Sequence, residues 1–409
     1  MNALNTLPQL TEGPGLRCLE GVCVLDFTTS VAGPYGTLLL ADLGAEVIKV
    51  EKRTGGDDTR SWGPPFLDGE SLWFLSMNRN KQSMTVDLTR AEGRSIAHQL
   101  VRQADVVVLS TTQRVQEKLG LDYATLKAIH PALIHVSVTG FGLQGERADL
   151  PCYDLIAEGY SAVMHLTGEP GRPAQKIGTP AADLLAGQDI AMATLAALFE
   201  RERTGAGKQI DVSMVATATR FMAPRIVPFL GSGDPPTRSG GTDSVIAIYQ
   251  VFETADFPIT LGLGNDAIWQ RFWEAVDQPA YGKQAGFETN AKRRQARATI
   301  VAAIAKILAT QRREHWLALF ARHRIPAGPI NSIDQLVDDP PLRAAGMFFA
   351  GQGAVGRVPQ VGLGIAFDGA SAVYRTPPPA LGQDTERILA ERLSMSATCI
   401  AGLIDAEIV

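Results

Sequence analysis

In "GTPAADLLAG", residues 178–187, a single carboxylate, Asp183, stands among small and apolar residues at the mouth of a long apolar helical run. A carboxylate there can cap the helix by accepting a first-turn N–H. It can equally be a nucleophile or base near the positive end of the helix dipole. The residues alone leave both readings open. A second stretch suited to chemistry is "DFTTSVAGPYG" (26–36), a polar loop between a strand and a helix that begins near Gly33 and Pro34. Unpaired N–H groups at such a helix start suit a phosphate or a thioester oxygen. Two basic clusters follow, "EKR" (51–53) and "NRNKQS" (78–83). In a parallel sheet their loops gather at one edge, where Arg53 and Lys81 can face the phosphates of one anionic ligand. Solvated surface charge is the competing reading.

Other motifs carry less. "GFGLQG" (140–145) is a literal G-x-G-x-x-G after a strand, but "ERADLPCYD" follows it where a dinucleotide site needs a helix. "GLGNDA" (262–267) does enter a helix, without a following strand that bears a ribose-binding carboxylate. The histidines show no H-E-x-x-H and no paired metal spacing, so His135, His315 and His323 read as structural. Cys18, Cys23, Cys152 and Cys399 are scattered without metal-ligand spacing, which predicts reduced thiols and no metal site. No G-x-S-x-G elbow is present.

The elements that must position these residues alternate. "GVCVLDF" (21–27), "EVIKVE" (46–51), "DVVVLS" (105–110), "LIHVSVT" (133–139) and "KQIDVSM" (208–214) read as strands. Helices are predicted over 33–44, 91–103, 114–129 and 183–203, the last stopped by "TGAG". The fold class is therefore α/β with a doubly wound parallel sheet. A Gly/Pro-rich stretch at 228–244 reads as a linker. Beyond it, strands at 246–253 and 258–262 and helices at 266–276, 292–309 and 313–322 predict a smaller α+β unit; a helix near 384–393 follows a few short strands.

Composition excludes several classes. The 409 residues are 45% apolar and 20% charged with a formal net charge of −5, ordinary for a globular protein and against a general nucleic-acid binder. No apolar run of about 20 residues occurs, and residues 1–17 lack a leader pattern. The expectation is a cytoplasmic protein without membrane partners.

Several long blocks resemble the family III CoA-transferases of the CaiB/BaiF type, the group of formyl-CoA transferase and the carnitine CoA-transferase. They are "LEGVCVLDFTTSVAGPYGTLLLADLGAEVIKVEKRTGGDDTRSWGPPF", "MNRNKQSMTVDL", "YDLIAEGYSAVMHLTG", "PAADLLAGQDIAMATLAALFERERTGAGKQIDVSM" and "PPPALGQDTERIL", collinear from about residue 19. The resemblance implies a Rossmann-like large domain over 18–225, completed by 340–409, and a small α+β domain over 226–339. It also implies a homodimer whose subunits interlock like linked rings. Asp183 occupies the family's catalytic position, and a reference aspartate, titrating near ~3.9, is ionised at neutral pH. Small neighbours, Ala182 and Gly187, leave room for a thioester.

The implied reaction moves CoA from an acyl-CoA to a small carboxylic acid through an aspartyl-CoA thioester, with CoA as substrate and no permanently bound cofactor or metal. Thr29, Ser30 and Val31 would line the CoA channel, and Arg53, Lys81 and Lys118 would meet the nucleotide end. Three positions depart from the family. Val31 replaces a glutamine of formyl-CoA transferase, leaving the backbone to donate; "STTQR" (110–114) replaces an Asn-Phe-Arg-Pro-Gly motif; and only "SGGT" (239–242) stands for the glycine flap. "GDDTRSWGPPF" (56–66) and "SMNRNK" (76–81) resemble the succinyl-CoA:glutarate type, so a dicarboxylate is expected, with Arg60, Arg220 or Arg225 on its distal carboxylate. The α-methylacyl-CoA racemases share the fold, but Tyr153 precedes Asp154 here where they carry a catalytic histidine. An NAD(P)-dependent oxidoreductase using "GFGLQG" is the alternative from a different class.

Overall fold

The computed structural model describes residues 3–369 and 373–409. Its centre is a parallel sheet of β1 (Cys23–Phe27), β2 (Glu46–Glu51), β3 (Lys81–Thr85), β4 (Val106–Leu109), β5 (Ile134–Thr139) and β6 (Lys208–Ser213). The spatial order is β3-β2-β1-β4-β5-β6. The helices that matter for the site are α1 (Ala32–Asp42), α2 (Ala91–Val101), α3 (Asp154–Tyr160), α4 (Ala181–Thr204) and α5 (Met214–Phe221).

Strands buried on both faces need apolar residues at consecutive positions, which "VVVL" of β4 supplies. Val106 and Val108 point into one layer with Leu40 and Ala41 of α1 and Ala186 and Ile190 of α4. Val107 and Leu109 point into the other with Ile96 and Leu100 of α2 and the C-terminal Ile388 and Leu389. The returning C-terminus also covers the open edge of the sheet. Ser83 N–H donates to Asp384 Oδ2 at 2.9 Å and Thr85 N–H to Thr385 Oγ1 at 3.0 Å, so β3 does not present a free ladder. Strand order reverses between β1 and β4, and in such sheets ligands bind where the carboxyl ends of the strands splay apart.

Two glycines bring the helices that flank this point into backbone contact. A Cβ on Gly187 of α4 would lie 2.9 Å from Ala32 O and 3.1 Å from Gly36 N. One on Gly36 of α1 would lie 3.0 Å from Gly187 O. The crossing falls at the fifth residue of α1 and the seventh of α4, so the first turn of α1 lies against the second turn of α4. Gly187 therefore leaves no room for a thioester, contrary to the sequence expectation; α1 and the Tyr35 ring occupy that space. By length and composition α4 could span a membrane, yet half of its apolar window is buried and the helix packs beneath the sheet.

Sequence and structure differ where short signals decide. The helical stretch at 114–129 is two helices, Gln113–Leu119 and Tyr123–Ile129, because Gly120 adopts φ +67° and Asp122 caps a new start at Thr125 N–H. Helix 292–309 likewise breaks at Ala296. The unpredicted helix Ala223–Ser232 runs into the expected linker; none of its residues is fully buried, and Pro228 and Gly231 are the loop signals that mask its apolar residues in the sequence. Residues Met164–Gln175 and Gly233–Asp338 form a second compact unit. Its antiparallel strands β7 (Tyr249–Phe252), β8 (Ile259–Gly262) and β9 (Ala327–Pro329) pack with helices around Trp269, Phe272, Trp273 and Phe320.

If the glycine crossing sets the two helix starts, Gly187→Ala should destabilise the protein by about 1–3 kcal/mol, the cost of overpacking. Urea denaturation checks this, and a Gly402→Ala control gives the effect of adding a methyl at an uncrowded helical site.

Candidate active site

At the switch point lies a cleft of about 290 Å³. Its walls are Thr29, Ser30 and Val31 after β1, Ser110 and Thr112 after β4, Gly140 after β5, Cys152 and Tyr153 before α3, and Asp183 in the first turn of α4. Ala32 and Gly33 also line it, at the first turn of α1, where N–H groups have no intrahelical partner. The size is near the lower end of ligand pockets, about 300–1,000 Å³. It suits the thioester end of a long ligand.

The loop over this cleft is held from beneath by buried charge. Asp26 on β1 and Lys49 on β2 are register neighbours. Asp26 accepts from Thr28 N–H at 2.9 Å, Thr37 Oγ1 at 2.6 Å and Lys81 Nζ at 3.1 Å. Lys49 Nζ donates to Thr28 O at 2.8 Å and pairs with Asp57 Oδ2 at 2.8 Å. Asp57 Oδ1 in turn accepts Ser30 N–H at 3.1 Å. Ser30 has φ +70°, a left-handed conformation that costs a serine energy and persists only when the surroundings fix it. Thr29 N–H is held by Ser110 Oγ at 3.1 Å. The loop is thus built, residue by residue, into one shape.

Burial alone would raise the Asp26 carboxyl, but the charges of Lys81 and Lys49 and the hydroxyls of Thr28 and Thr37 hold it well below the ordinary range. Burial pushes Lys81 down to about 8 against the pull of Asp26. This corrects one expectation: Lys81 is 2% exposed, and its ammonium is spent on Asp26, Pro34 O and Asn78, so it reaches no ligand. Arg60 is also committed. Its guanidinium grips Glu51 at 2.7 and 2.8 Å and lies 3.6 Å over the Phe74 ring, which removes it as a partner for a distal carboxylate. Arg53 is partly exposed and pairs with Glu407 at 3.0 Å, and Lys118 is exposed on Gln113–Leu119. Neither lines the cleft. Arg220 pairs with Asp189, and Arg225 also lies outside the lining.

Asp183 stands in a contrasting environment. It is the third residue of α4, half-buried, and among the described residues no hydrogen bond reaches its carboxylate. It does not cap its helix. Pro180 occupies the cap position, and the cap is supplied by Asp154, whose Oδ1 accepts Ala182 N–H at 2.8 Å. Burial first, and then the neighbouring Asp154 charge, raise the Asp183 carboxyl to about 7. The expectation of full ionisation at neutral pH is therefore corrected: with no cation beside it, this carboxylate holds its proton to about neutrality. Among the described residues no group of three or more His, Cys, Asp or Glu is placed to hold a metal.

The chain matches the model of CoA-transferase family III over residues 19–385. The chain belongs to this family. It is 36% identical to the succinate–glutarate CoA-transferase of Agrobacterium fabrum over 93% of this chain and 97% of that protein. It is 34% identical to the mouse succinyl-CoA:glutarate CoA-transferase over 95% of this chain and 89% of that one. A crystal structure of a CaiB/BaiF family protein from Brucella suis superposes with a TM-score of 0.81 at 36% identity, covering 91% of this chain and 99% of that one. This CoA-transferase is accordingly an enzyme, and its fold is the mixed α/β fold of those relatives.

Family membership disposes of the oxidoreductase alternative, and the geometry says why "GFGLQG" misleads. Gly142 N–H donates to Thr139 Oγ1 and Leu143 N–H to Asp211 Oδ2, both at 2.9 Å. Two of the N–H groups a pyrophosphate would need are taken by Thr139 and by Asp211 of β6, and no helix starts there. Sequence reasoning missed Asp26, Lys49 and Asp57. A charge interrupting each of two adjacent apolar strands, "VLDF" and "VIKVE", was the available signal.

Removing one member of the buried cluster should cost far more than removing a surface charge. Lys81→Met leaves the buried carboxylates Asp26 and Asp57 to share Lys49 and should lower stability by about 3–5 kcal/mol, whereas Arg53→Ala, partly exposed, should change it by less than about 1 kcal/mol. Urea melts of the two variants at pH 7 compare them. A similar loss in both would remove the cluster from its scaffolding role.

Proposed function

We propose that this enzyme moves CoA from a dicarboxylyl-CoA such as succinyl-CoA to a small carboxylate through Asp183. The observation that carries the reading is a carboxylate free of hydrogen bonds, at a helix N-terminus, on the wall of a cleft it shares with Thr29, Ser30 and Val31. The ionised Asp183 oxygen attacks the thioester carbonyl, and the C–S bond breaks with CoA leaving as its thiolate. The thiolate then attacks the Asp183 carbonyl of the mixed anhydride. The donor acid leaves as its carboxylate, and Asp183 becomes the CoA thioester. An acceptor carboxylate repeats both steps in reverse, so protons and charges balance without a redox or metal cofactor. In this reading the N–H groups at the start of α1, where Ala32 and Gly33 line the same cleft, take the oxyanion in each addition.

The dicarboxylate preference rests on the named activities of the relatives and on the sequence blocks 56–66 and 76–81. Among the described residues no lysine or arginine lines the cleft. A carboxylate donor and acceptor, and the CoA phosphates, need cations. The interlocked homodimer supplies a second chain as their source, and we assign that state, in the cytoplasm, to this protein. Within each chain the proposed large domain, 18–225 with 340–409, and small domain, 226–339, follow the two compact units except that Met164–Gln175 goes with the smaller one and 226–232 with the larger. Arg53 and Lys118 then serve the outer nucleotide end, and Arg220 and Arg225 are the two remaining intrachain candidates for the distal carboxylate.

Succinyl-CoA incubated with a panel of mono- and dicarboxylates, with CoA esters read by mass, should show exchange that favours dicarboxylates. Asp183→Ala should lose at least about 1,000-fold of this turnover; undiminished turnover would refute the role of Asp183. The nucleophile is the ionised form and its pKa is raised to about 7. The first half-reaction should therefore slow about tenfold per pH unit below 7 and level off above it. The same shift has a stability sign. The folded state holds a proton that the unfolded chain releases near ~3.9, so ionising Asp183 destabilises the fold as pH rises from about 4 to 7. Asp183→Asn should gain thermal stability over wild type at pH 8 and not at pH 4.

A further inference from the structure

The turn that presents Asp183 is held by another helix. Asp154 opens α3 and Glu158 follows one turn later, so the two carboxylates share a face of that helix. Asp154 Oδ1 accepts Ala182 N–H at 2.8 Å and is 3.4 Å from Asp183 N. Glu158 is fully buried, and its Oε2 accepts Ile177 N–H at 3.0 Å on the segment that leads into α4. Its Oε1 is buried without a hydrogen-bond partner. Three N–H groups on the approach and first turn of α4 are therefore gripped by two acids from one face of α3. Pro180, at the cap position, has no side chain able to do this.

We propose that Asp154 and Glu158 form a carboxylate clamp that positions the Asp183 nucleophile and holds the charge of Asp154 against it. The clamp rests on Asp183 acting as the nucleophile but does not itself touch substrate; Asp154 and Glu158 are positioning residues.

The chemistry of the clamp follows from its surroundings. Burial first, and then Asp154, raise the Glu158 carboxyl, while Ile177 N–H and the Lys176 charge oppose the shift. Tyr153, Asp58 and Cys152 line the same cleft as Asp183; burial and the Asp183 and Asp154 charges push the Cys152 thiol up to about 11, so it stays neutral. On α5, Arg220 is engaged with Asp189. Asp154 is then the charge that acts on Asp183. An asparagine at position 154 separates the two roles of the clamp, because its amide oxygen still caps α4 while its charge is gone.

The test compares wild type, Asp154→Asn, Asp154→Ala and Glu158→Gln in two measurements. One is the rate of covalent CoA attachment from succinyl-CoA as a function of pH. The other is the titration of the Asp183 carboxyl by carbon NMR with labelled aspartate, assigned with Asp183→Asn. Asp154→Asn should lower both midpoints by about one pH unit and keep the plateau rate. Asp154→Ala should lower the plateau rate at least tenfold, and Glu158→Gln should retain the plateau by keeping an acceptor for Ile177 N–H. If Asp154→Ala does not fold, the midpoint in Asp154→Asn decides. An unchanged midpoint in Asp154→Asn overturns the proposal. A wild type that never takes up CoA overturns the nucleophile reading instead, and the NMR midpoint still decides whether Asp154 governs Asp183.

Discussion

Two buried ion pairs, Asp26 with Lys81 and Lys49 with Asp57, constrain everything above them. Charges taken out of water cost several kcal/mol each unless they are paired and hydrogen-bonded. Here each is, and the bonds are spent on the loop after β1. Asp26 takes Thr28 N–H, Lys49 takes Thr28 O, and Asp57 takes Ser30 N–H. The pairs also reach α1 through Thr37 and Pro34 O. A cluster of this kind adds little net stability compared with apolar packing, but it permits only one arrangement. What it secures is a loop, including a left-handed Ser30, at the carboxyl edge of a sheet whose order reverses at that point.

The same chemical group therefore behaves in opposite ways a short distance apart. Asp26 is surrounded by cations and donors and keeps its charge far below neutrality. Asp183 is half-buried with an acid as its neighbour and holds its proton to about pH 7. A carboxylate stabilised by cations is a poor nucleophile. One that is desolvated and unpaired has the reactivity that the proposed attack on a thioester requires, and Asp183 shares its cleft with Ala32 and Gly33 at the start of α1. Scaffold and nucleophile are divided between two classes of carboxylate, and the division is electrostatic.

Much of this was legible in the sequence. Apolar runs separated by helical periodicity specify the parallel sheet, because doubly buried strands admit few other residues. The family blocks single out Asp183, and the structure then moves its capping role to Asp154. The misreadings share a cause. Lys81 and Arg60 look like ligand-binding cations in one dimension, but only three-dimensional neighbours reveal that Asp26 and Glu51 already consume them. Gly187 reads as room for a substrate until the partner glycine, Gly36, is found some 150 positions earlier in the chain and backbone to backbone with it. The short α3 gave no periodic signal, since Leu155, Ile156 and Tyr160 are exposed while the acid Glu158 is buried.

The central claim is that Asp183 itself carries CoA. Wild-type protein mixed with succinyl-CoA at pH 8, without acceptor, should gain the mass of CoA less one water. Hydroxylamine should discharge it, and peptide mapping should find the hydroxamate on Asp183 alone. A CoA adduct on Cys152 or any other residue, or complete exchange between acids with no covalent species formed, would contradict the claim.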